Sequence, residues 1–389
     1  MNLPDIISSD EFGAPQLTNT VGSFCEVLDA AFVNGFNVRS CTMSIAAGVA
    51  TVTVSAHGYS PDRTILIEGS AIAALNGRKK PTITGANSFT FPAPGLADGP
   101  VGGSMTCRRP GLGWAIAHSA TGKRIYSRPN PMATTMLLYV DETLRTSSDN
   151  HAVVRGMYSA SSISDMSALW SPDPHYTFLG PWSSAARGWS VVGTDMVMYL
   201  NIVDTTPAEI DDQSRTRSLS VFGDIIPHES ADSSHCLLGF STYKSYVSNG
   251  PSVANSTSIA TTVGAGNSKL ARGATQTGLQ VEAVVISPYV LLGESGSAAL
   301  PPMSDFTVDA IALTEFGSCV IRDGTTSVGG HIRGRLPGIS LLLNNSFSLS
   351  TPLFTGDCAT FATDDGSVAL VRGPYTAMYA FSLHAEGWS

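Results

Sequence analysis

From Val21 to Asn34 the apolar side chains fall on one stripe, with Phe24, Val27, Leu28, Ala31 and Phe32 at i, i+3, i+4, i+7 and i+8. That spacing predicts one amphipathic helix. Asn34-Gly35 supplies its stop, since glycine takes the left-handed conformation at a helix end without strain. A helix of about 14 residues is marginal alone, so the stripe must dock, either on the rest of the chain or on a neighbouring subunit. Ahead of it, residues 1 to about 19 read as an extended arm, because Pro4, Gly13 and Pro15 block a helix.

Beyond the helix the pattern changes to short apolar runs and period-two alternation, which is the signature of strands. Residues 36 to 109 carry a dense set: a hairpin over Ser44–Val54 with a Gly turn, a buried strand Thr64–Glu68, an edge strand Lys80–Thr84, an alternating Ser88–Phe91, and a closing strand Gly103–Cys107. Pro81 marks the edge strand, since proline cannot donate to a ladder. Strands at this spacing, separated by Gly-rich turns, predict a small sandwich or barrel.

After Arg108-Arg109-Pro110-Gly111 a second region reads as strands at Arg124–Ser127, Met136–Val140 and Ala152–Tyr158, then a short helical stretch near Ser164–Trp170. Trp189–Gly193 and Met196–Ile202 form a hairpin around Thr194-Asp195, followed by strands Leu219–Ile225 and Cys236–Phe240. Residues 245 to 278 hold Ser, Thr, Gly and Asn with few bulky apolar groups and read as a long loop. Strands resume at Val281–Ile286, Cys319–Arg322, Ile339–Leu343, Ala359–Ala362, Val368–Val371 and Ala377–Leu383. The expected organisation is an arm and helix over 1–35, a small β-domain over 36–110, a β-rich domain over 111–245 and a β-rich C-terminal region over 246–389, the last two forming one domain or two. The fold class is all-β: a small N-terminal β-sandwich or barrel, one or two larger β-sandwich domains, and one short N-terminal helix.

Composition sharpens this picture. Charged residues are 14% of the chain, against roughly 25% in an ordinary soluble protein. The 38 glycines and 22 prolines, spread evenly, favour strands and turns over helices. So few charges suit either a Ser/Thr-surfaced β-protein or one that hides much of its surface against neighbours. A net charge of −9 argues against binding nucleic acid or anionic lipid. Cys25, Cys41, Cys107, Cys236, Cys319 and Cys358 show no CxxC pair and read as small core hydrophobes in a protein made in a reducing cytosol. Met1–Asp5 has neither a basic nor an apolar signal region, and Ala283–Leu292 is too short to span a bilayer. The expectation is a soluble product without membrane insertion.

The stretch Ala50–Thr53, Ala56–Ser60, Ile65–Gly69, Ala74–Gly77 and Ser88–Phe91 resembles a small β-domain frequent in phage tail and fibre proteins. Within it, His57-Gly58 and Asn76-Gly77 are turns where glycine accepts positive φ. Further along come Arg108-Arg109-Pro110, Gly113-Trp114, Tyr139-Val140-Asp141-Glu142, Val154-Arg155-Gly156, Gly188-Trp189, Val221-Phe222-Gly223-Asp224 and Arg333–Gly338. In that order they resemble a family of virion proteins encoded with the tail genes of long-tailed phages. The ordered series carries the resemblance over nearly the whole chain, weakest across 245 to 320.

The resemblance implies a structural role in the virion tail, most naturally the tail tip or baseplate, after assembly in the host cytoplasm. The expected partners are other tail proteins and further copies of the chain on a three-fold or six-fold axis. It carries over no catalytic residue and no cofactor. The alternative is a tail protein that contacts a host-surface receptor or carbohydrate, with Trp170, Tyr176, Trp182 and Trp189 as a sugar platform.

Enzyme chemistry needs a constellation that the sequence does not supply. Asp141-Glu142 falls at a strand end, which points the two carboxylates to opposite faces. Asp211-Asp212 reads as a solvated loop and Asp364-Asp365-Gly366 as a hairpin turn. Gly293-Glu294-Ser295-Gly296-Ser297 misses the nucleophile-elbow spacing, and His228, His235 and Cys236 match no zinc template. Arg333 and Arg335, flanked by Gly and Pro, read as a turn making interface salt bridges. The candidate assembly interface is therefore Phe24, Leu28 and Phe32 on the helix together with Arg333 and Arg335.

Overall fold

A computed structural model of the chain describes residues 4–145, 150–170, 175–179, 186–203, 217–228, 234–238, 269–272, 280–286, 320–323, 332–341, 358–363, 366–372, 378–383 and 388. It is all-β, with 49% strand and 8% helical residues, as the scarcity of 3.6-residue stripes predicts.

Between residues 36 and 110 two sheets lie face to face. One has the order Phe36–Ser40, Gly103–Arg109, Ile65–Ser70, Gly77–Lys79; the other has Thr82–Gly85, Ser88–Pro92, Val49–Thr53, Thr42–Ala46, Gly99–Val101. Alternation turns Met43, Ile45, Val52, Ile65, Ile67, Phe89, Phe91 and Cys107 inward, and the buried core they form draws only on residues from Cys41 to Cys107. The hairpin predicted at Ser44–Val54 turns on Ala47 and Gly48, at φ 50° and 75°. Two left-handed residues are what a two-residue hairpin loop requires. The strand after Pro81 lies at a sheet edge, as predicted.

The predicted helix is one helical segment that widens along its length. Ser23–Leu28 is α-helical, Asp29–Asn34 is a π-helical turn, and Gly35 at φ 67° ends it. Widening frees the Ala31 and Phe32 carbonyls, which accept the amides of Leu112, Gly113 and Trp114 at 2.9 Å. A Cβ at Gly111 would collide with the Phe32–Val33 backbone, so only glycine permits that approach.

This helix plugs the largest core. Phe24, Val27, Leu28, Ala31 and Phe32 pack against Tyr126, Leu138, Val140, Ala152 and Val154 on one side and Trp189, Val191, Met198, Leu200 and Phe222 on the other. The first set belongs to a five-stranded meander: Ala115–Ala120, Lys123–Ser127, Leu137–Asp141, His151–Met157 and His175–Phe178. The second set belongs to a ten-stranded sheet, ordered Asp5–Ser8, Trp189–Gly193, Val197–Val203, Arg217–Asp224, Ser234–Leu238, Lys269–Arg272, Gln280–Ile286, Val320–Asp323, Ile332–Arg335, Ile226–Pro227. Only Ile225 separates Arg217–Asp224 from Ile226–Pro227 in the chain. The last strand of the order is thus the chain continuation of the fourth, and it pairs with Ile332–Arg335.

The other face of that sheet is buried too. Ile6, Val192, Tyr199 and Val221 point away from the helix to meet Leu336, Ile339, Phe381, Leu383 and Trp388. A four-stranded sheet, ordered Ile339–Leu341, Met378–Ser382, Gly366–Arg372, Cys358–Thr363, carries Ile339 and Phe381. Strands covered on both faces read as continuous apolar runs, which is how Val191-Val192 and Val197–Leu200 look in the sequence.

The N-terminal arm is extended over Asp5–Ser8 and is docked on the chain: this strand pairs with Trp189–Gly193, and Ile6 and Ile7 bury on opposite faces. Two local expectations need correcting. The helical stretch near Ser164–Trp170 is a run of turns. There the Asp165 carboxylate accepts the amides and hydroxyls of Ser161 and Ser167, so side chains take up backbone donors that a helix would use. Within the loop predicted at 245–278, Lys269–Arg272 is a strand pairing with both neighbours; the remainder lies outside the described residues.

Candidate assembly interface

The helix stripe faces inward. Phe24 and Leu28 are 1% exposed and Phe32 is 0% exposed within the single chain. Phe32 packs at 4.7 Å from the Trp114 ring and edge-on at 5.2 Å from Tyr126. Side chains with no free area have none to bury against a neighbour, so the interface expected at Phe24, Leu28 and Phe32 is corrected to intramolecular core. Arg333-Gly334-Arg335 is likewise no turn but part of the strand Ile332–Arg335, and the turn comes later at Pro337-Gly338. Gly334 lets this strand lie close against Ile226. Arg335 is exposed, while the Arg333 side chain lies outside the described residues.

Among the described residues, three clusters of buried charge join separate parts of the chain. At the first, Arg109 sits between the small sandwich and the N-terminal strand. Its Nη1 reaches Asp5 Oδ2 at 2.7 Å, its Nε reaches Glu11 Oε2 at 2.5 Å, and Nη1 also donates to the Thr64 carbonyl at 3.0 Å. Nη2 donates to Asp5 Oδ1 and the Ile6 carbonyl. Burial pushes the Asp5 carboxyl up, but the charge and hydrogen bonds of Arg109 outweigh it and hold it at about 2. An arginine fork paired to a carboxylate is the strong form of such a contact.

The second cluster ties the meander to the ten-stranded sheet. Arg128 Nη1 donates to Asp224 Oδ1 at 2.8 Å and to the Met196 carbonyl at 2.6 Å. Thr134 donates its amide and hydroxyl to the same carboxylate. His235 Nδ1 lies 3.1 Å from Asp224 Oδ1 and from Arg128 Nη2. Burial, helped by the charge of Arg128 and opposed by Asp224, lowers His235 to about 4.

The third cluster caps the helix. Gly22 offers no side-chain cap, and Glu142 supplies one from across the core, accepting the Cys25 amide at 2.9 Å and the Phe24 amide at 3.4 Å. Arg145 Nη1 neutralises that carboxylate at 2.7 Å. A carboxylate on these first amides meets the positive end of the helix.

Other residues singled out in the sequence take structural places as well. Asp141 turns away from Glu142, as expected, and receives Lys123 Nζ at 2.8 Å and the Tyr139 hydroxyl at 2.9 Å. His228 is exposed while His235 and Cys236 are buried. Trp170 and Trp189 are core residues at 1% and 0% exposure, which removes two of the four rings of the proposed sugar platform. Trp182, the Tyr176 side chain, Asp211-Asp212, Asp364-Asp365 and Gly293–Ser297 lie outside the described residues. Among the described residues no group of three or more His, Cys, Asp or Glu is arranged to hold a metal ion.

Sequence reading gave no role to Asp5, Glu11 and Arg128, and took Asp224 only as part of the resemblance. At Asp5 and Asp224 a signal was present: a charged residue beside an apolar run in a chain that spends few charges. Among the described residues, the large apolar side chains that reach the surface are Phe12, Val21, Val38, Val49, Met132 and Leu144. Compared with known proteins, the chain matches no family model and no curated protein.

Proposed function

We propose that the chain is a non-catalytic structural component of a tailed-phage virion, working at the tail tip or baseplate as one copy in an oligomer that docks on other tail proteins. One observation carries the reading: the positions that bear the resemblance are ties of a scaffold. Arg109 joins the small sandwich to the N-terminal strand. Trp114 donates to the Thr194 carbonyl at 3.0 Å, and Trp189 to the Pro15 carbonyl at 3.0 Å. Glu142 caps the helix, and Gly156 lies flat under the Trp170 indole, where a Cβ would overlap the ring. Asp224 anchors Arg128.

A series of residues used in this way fits selection for shape and attachment. The low charge of the chain fits a protein that meets neighbours over much of its area. The test is electron microscopy of purified particles of the encoding phage, labelled with antibody against this chain. Label at the tail tip is the expected result. Absence of the chain from purified particles, checked by mass spectrometry, overturns the proposal.

A further inference from the structure

The small sandwich holds two thiols on one inner face. Phe36–Ser40 pairs antiparallel with Gly103–Arg109 through Arg39↔Cys107 and Ser40↔Thr106, and the Cys41 amide continues the ladder to the Met105 carbonyl at 3.0 Å. Residues two apart on a strand share a face, so Cys41, like Arg39, stands on the same side as Cys107, diagonally across the pair. Both belong to one core cluster with Tyr59. The Tyr59 hydroxyl lies 3.5 Å from Cys107 Sγ and 2.9 Å from the Asn37 carbonyl, so its one proton serves both acceptors.

We propose that Cys41 and Cys107 are an oxidisable pair that closes into a disulfide with hydrogen peroxide, Cys107 attacking the peroxide and Cys41 resolving the product. The roles follow from the surroundings. The Cys107 sulfur receives the Tyr59 hydroxyl, a hydrogen bond that favours its ionised form, and Arg39 stands opposite it on the same face; with the neighbouring Cys41 thiol these hold its pKa down against the effect of burial. Hydrogen bonds to the ionised form are what make a thiolate available, and the thiolate is the nucleophile. Cys41 is shifted the other way, by the neighbouring Cys107 thiol and by burial. Of the two it is the one that reaches the surface, at 9% against 0%.

The chemistry balances as follows. Cys107 thiolate attacks one peroxide oxygen; the S–O bond forms, the O–O bond breaks, and the departing hydroxide takes up the Cys107 proton as water. Cys41 sulfur then attacks Cys107 sulfur; the S–S bond forms, the S–O bond breaks, and hydroxide leaves with the Cys41 proton as a second water. Two thiols and one peroxide give one disulfide and two waters, the two electrons passing from sulfur to peroxide. A diagonal pair needs a small strand shift to reach disulfide geometry. The site allows one: Cys41 follows the last residue of its strand, and the register slips between Cys107 and Arg109. The thiols of Cys25 and Cys236 are raised, chiefly by burial. The inference is independent of the assembly reading.

The experiment treats the purified full chain, folded, with hydrogen peroxide, then counts thiols after denaturation and maps the disulfide by peptide mass. The expected result is loss of two of the six thiols and recovery of a peptide joining Cys41 to Cys107. Cys41→Ser should leave a sulfenic acid on Cys107 that dimedone captures. Tyr59→Phe, with its fold checked by circular dichroism, should slow the oxidation about tenfold, the effect of losing one hydrogen bond to a charged sulfur. Retention of all thiols in the native wild-type chain overturns the proposal, as does oxidation of Cys25 or Cys236 at the same rate. Oxidation of Tyr59→Phe at the wild-type rate overturns the assignment of Cys107 as the attacking sulfur.

Discussion

His151 and His235 are neutral in the folded chain because burial makes their charged forms costly, and each is lowered from 6.5 to about 4. Facing His235 are Arg128, which opposes its protonation, and Asp224, which favours it. In the unfolded chain both titrate near 6.5, so between pH 6.5 and 4 the unfolded state binds more protons. Stability is then full above pH 6.5 and declines as pH falls toward 4, by on the order of 3 kcal/mol per histidine. Urea midpoints measured from pH 8 to 4 should fall through that window, with a further fall as pH approaches 2, where Asp5 gains its proton. A flat midpoint between pH 7 and 4.5 would show that the histidines are solvated. None of this was legible in the sequence. His235 stood out there only beside Cys236, and the arginine that adds to burial in opposing its protonation is 107 residues away in the chain.

At the scale of elements, the helix shows what a pattern reveals and what it leaves open. The stripe and its glycine stop give the segment and its end, because they depend on neighbours a few residues apart. They do not say what the stripe docks on, since an apolar face is equally satisfied by its own chain or by a partner. Nor does the sequence show that a cap comes from Glu142, more than a hundred residues downstream. Leu28→Asp should therefore abolish folding of the large core, because a carboxylate there would be buried without a partner. Loss of soluble protein and of the strand signal in circular dichroism is expected; a folded variant would put Leu28 at a surface. Glu142→Ala removes the cap and leaves Arg145 buried without its carboxylate, a loss of about 3–5 kcal/mol. A urea midpoint within error of wild type would refute the capping role. Strands were legible for the same local reason as the helix. Asp5–Ser8 was missed because four residues between a turn and a proline show no period until their partner strand is known.

For the whole molecule, local pattern located most strands but not the order in which they pair. That order depends on contacts between chain ends, as where Ile6 meets Phe381 and Trp388 in one core. The small sandwich is the exception, since its core closes between Cys41 and Cys107, and local reading was enough to predict it. Its connection to the body runs through Arg109, whose carboxylate partners, Asp5 and Glu11, lie on the N-terminal segment. Arg109 should then matter to the body and not to the sandwich. In a fragment spanning residues 36–110 those carboxylates are gone and the guanidinium turns to water, so Arg109→Leu should leave the fragment's cooperative unfolding unchanged. In the full chain the same substitution leaves Asp5 and Glu11 buried without their shared cation, Glu11 keeping Arg63 at 3.6 Å and the Ser8 amide at 3.1 Å. Breaking a buried pair from one side costs about 3–5 kcal/mol, and the full chain's urea midpoint should drop accordingly. A fragment with no cooperative transition would show that the sandwich borrows its stability from the body. Equal losses in fragment and full chain would show that Arg109 acts within the sandwich, through the Thr64 carbonyl, and does not join it to the N-terminal strand.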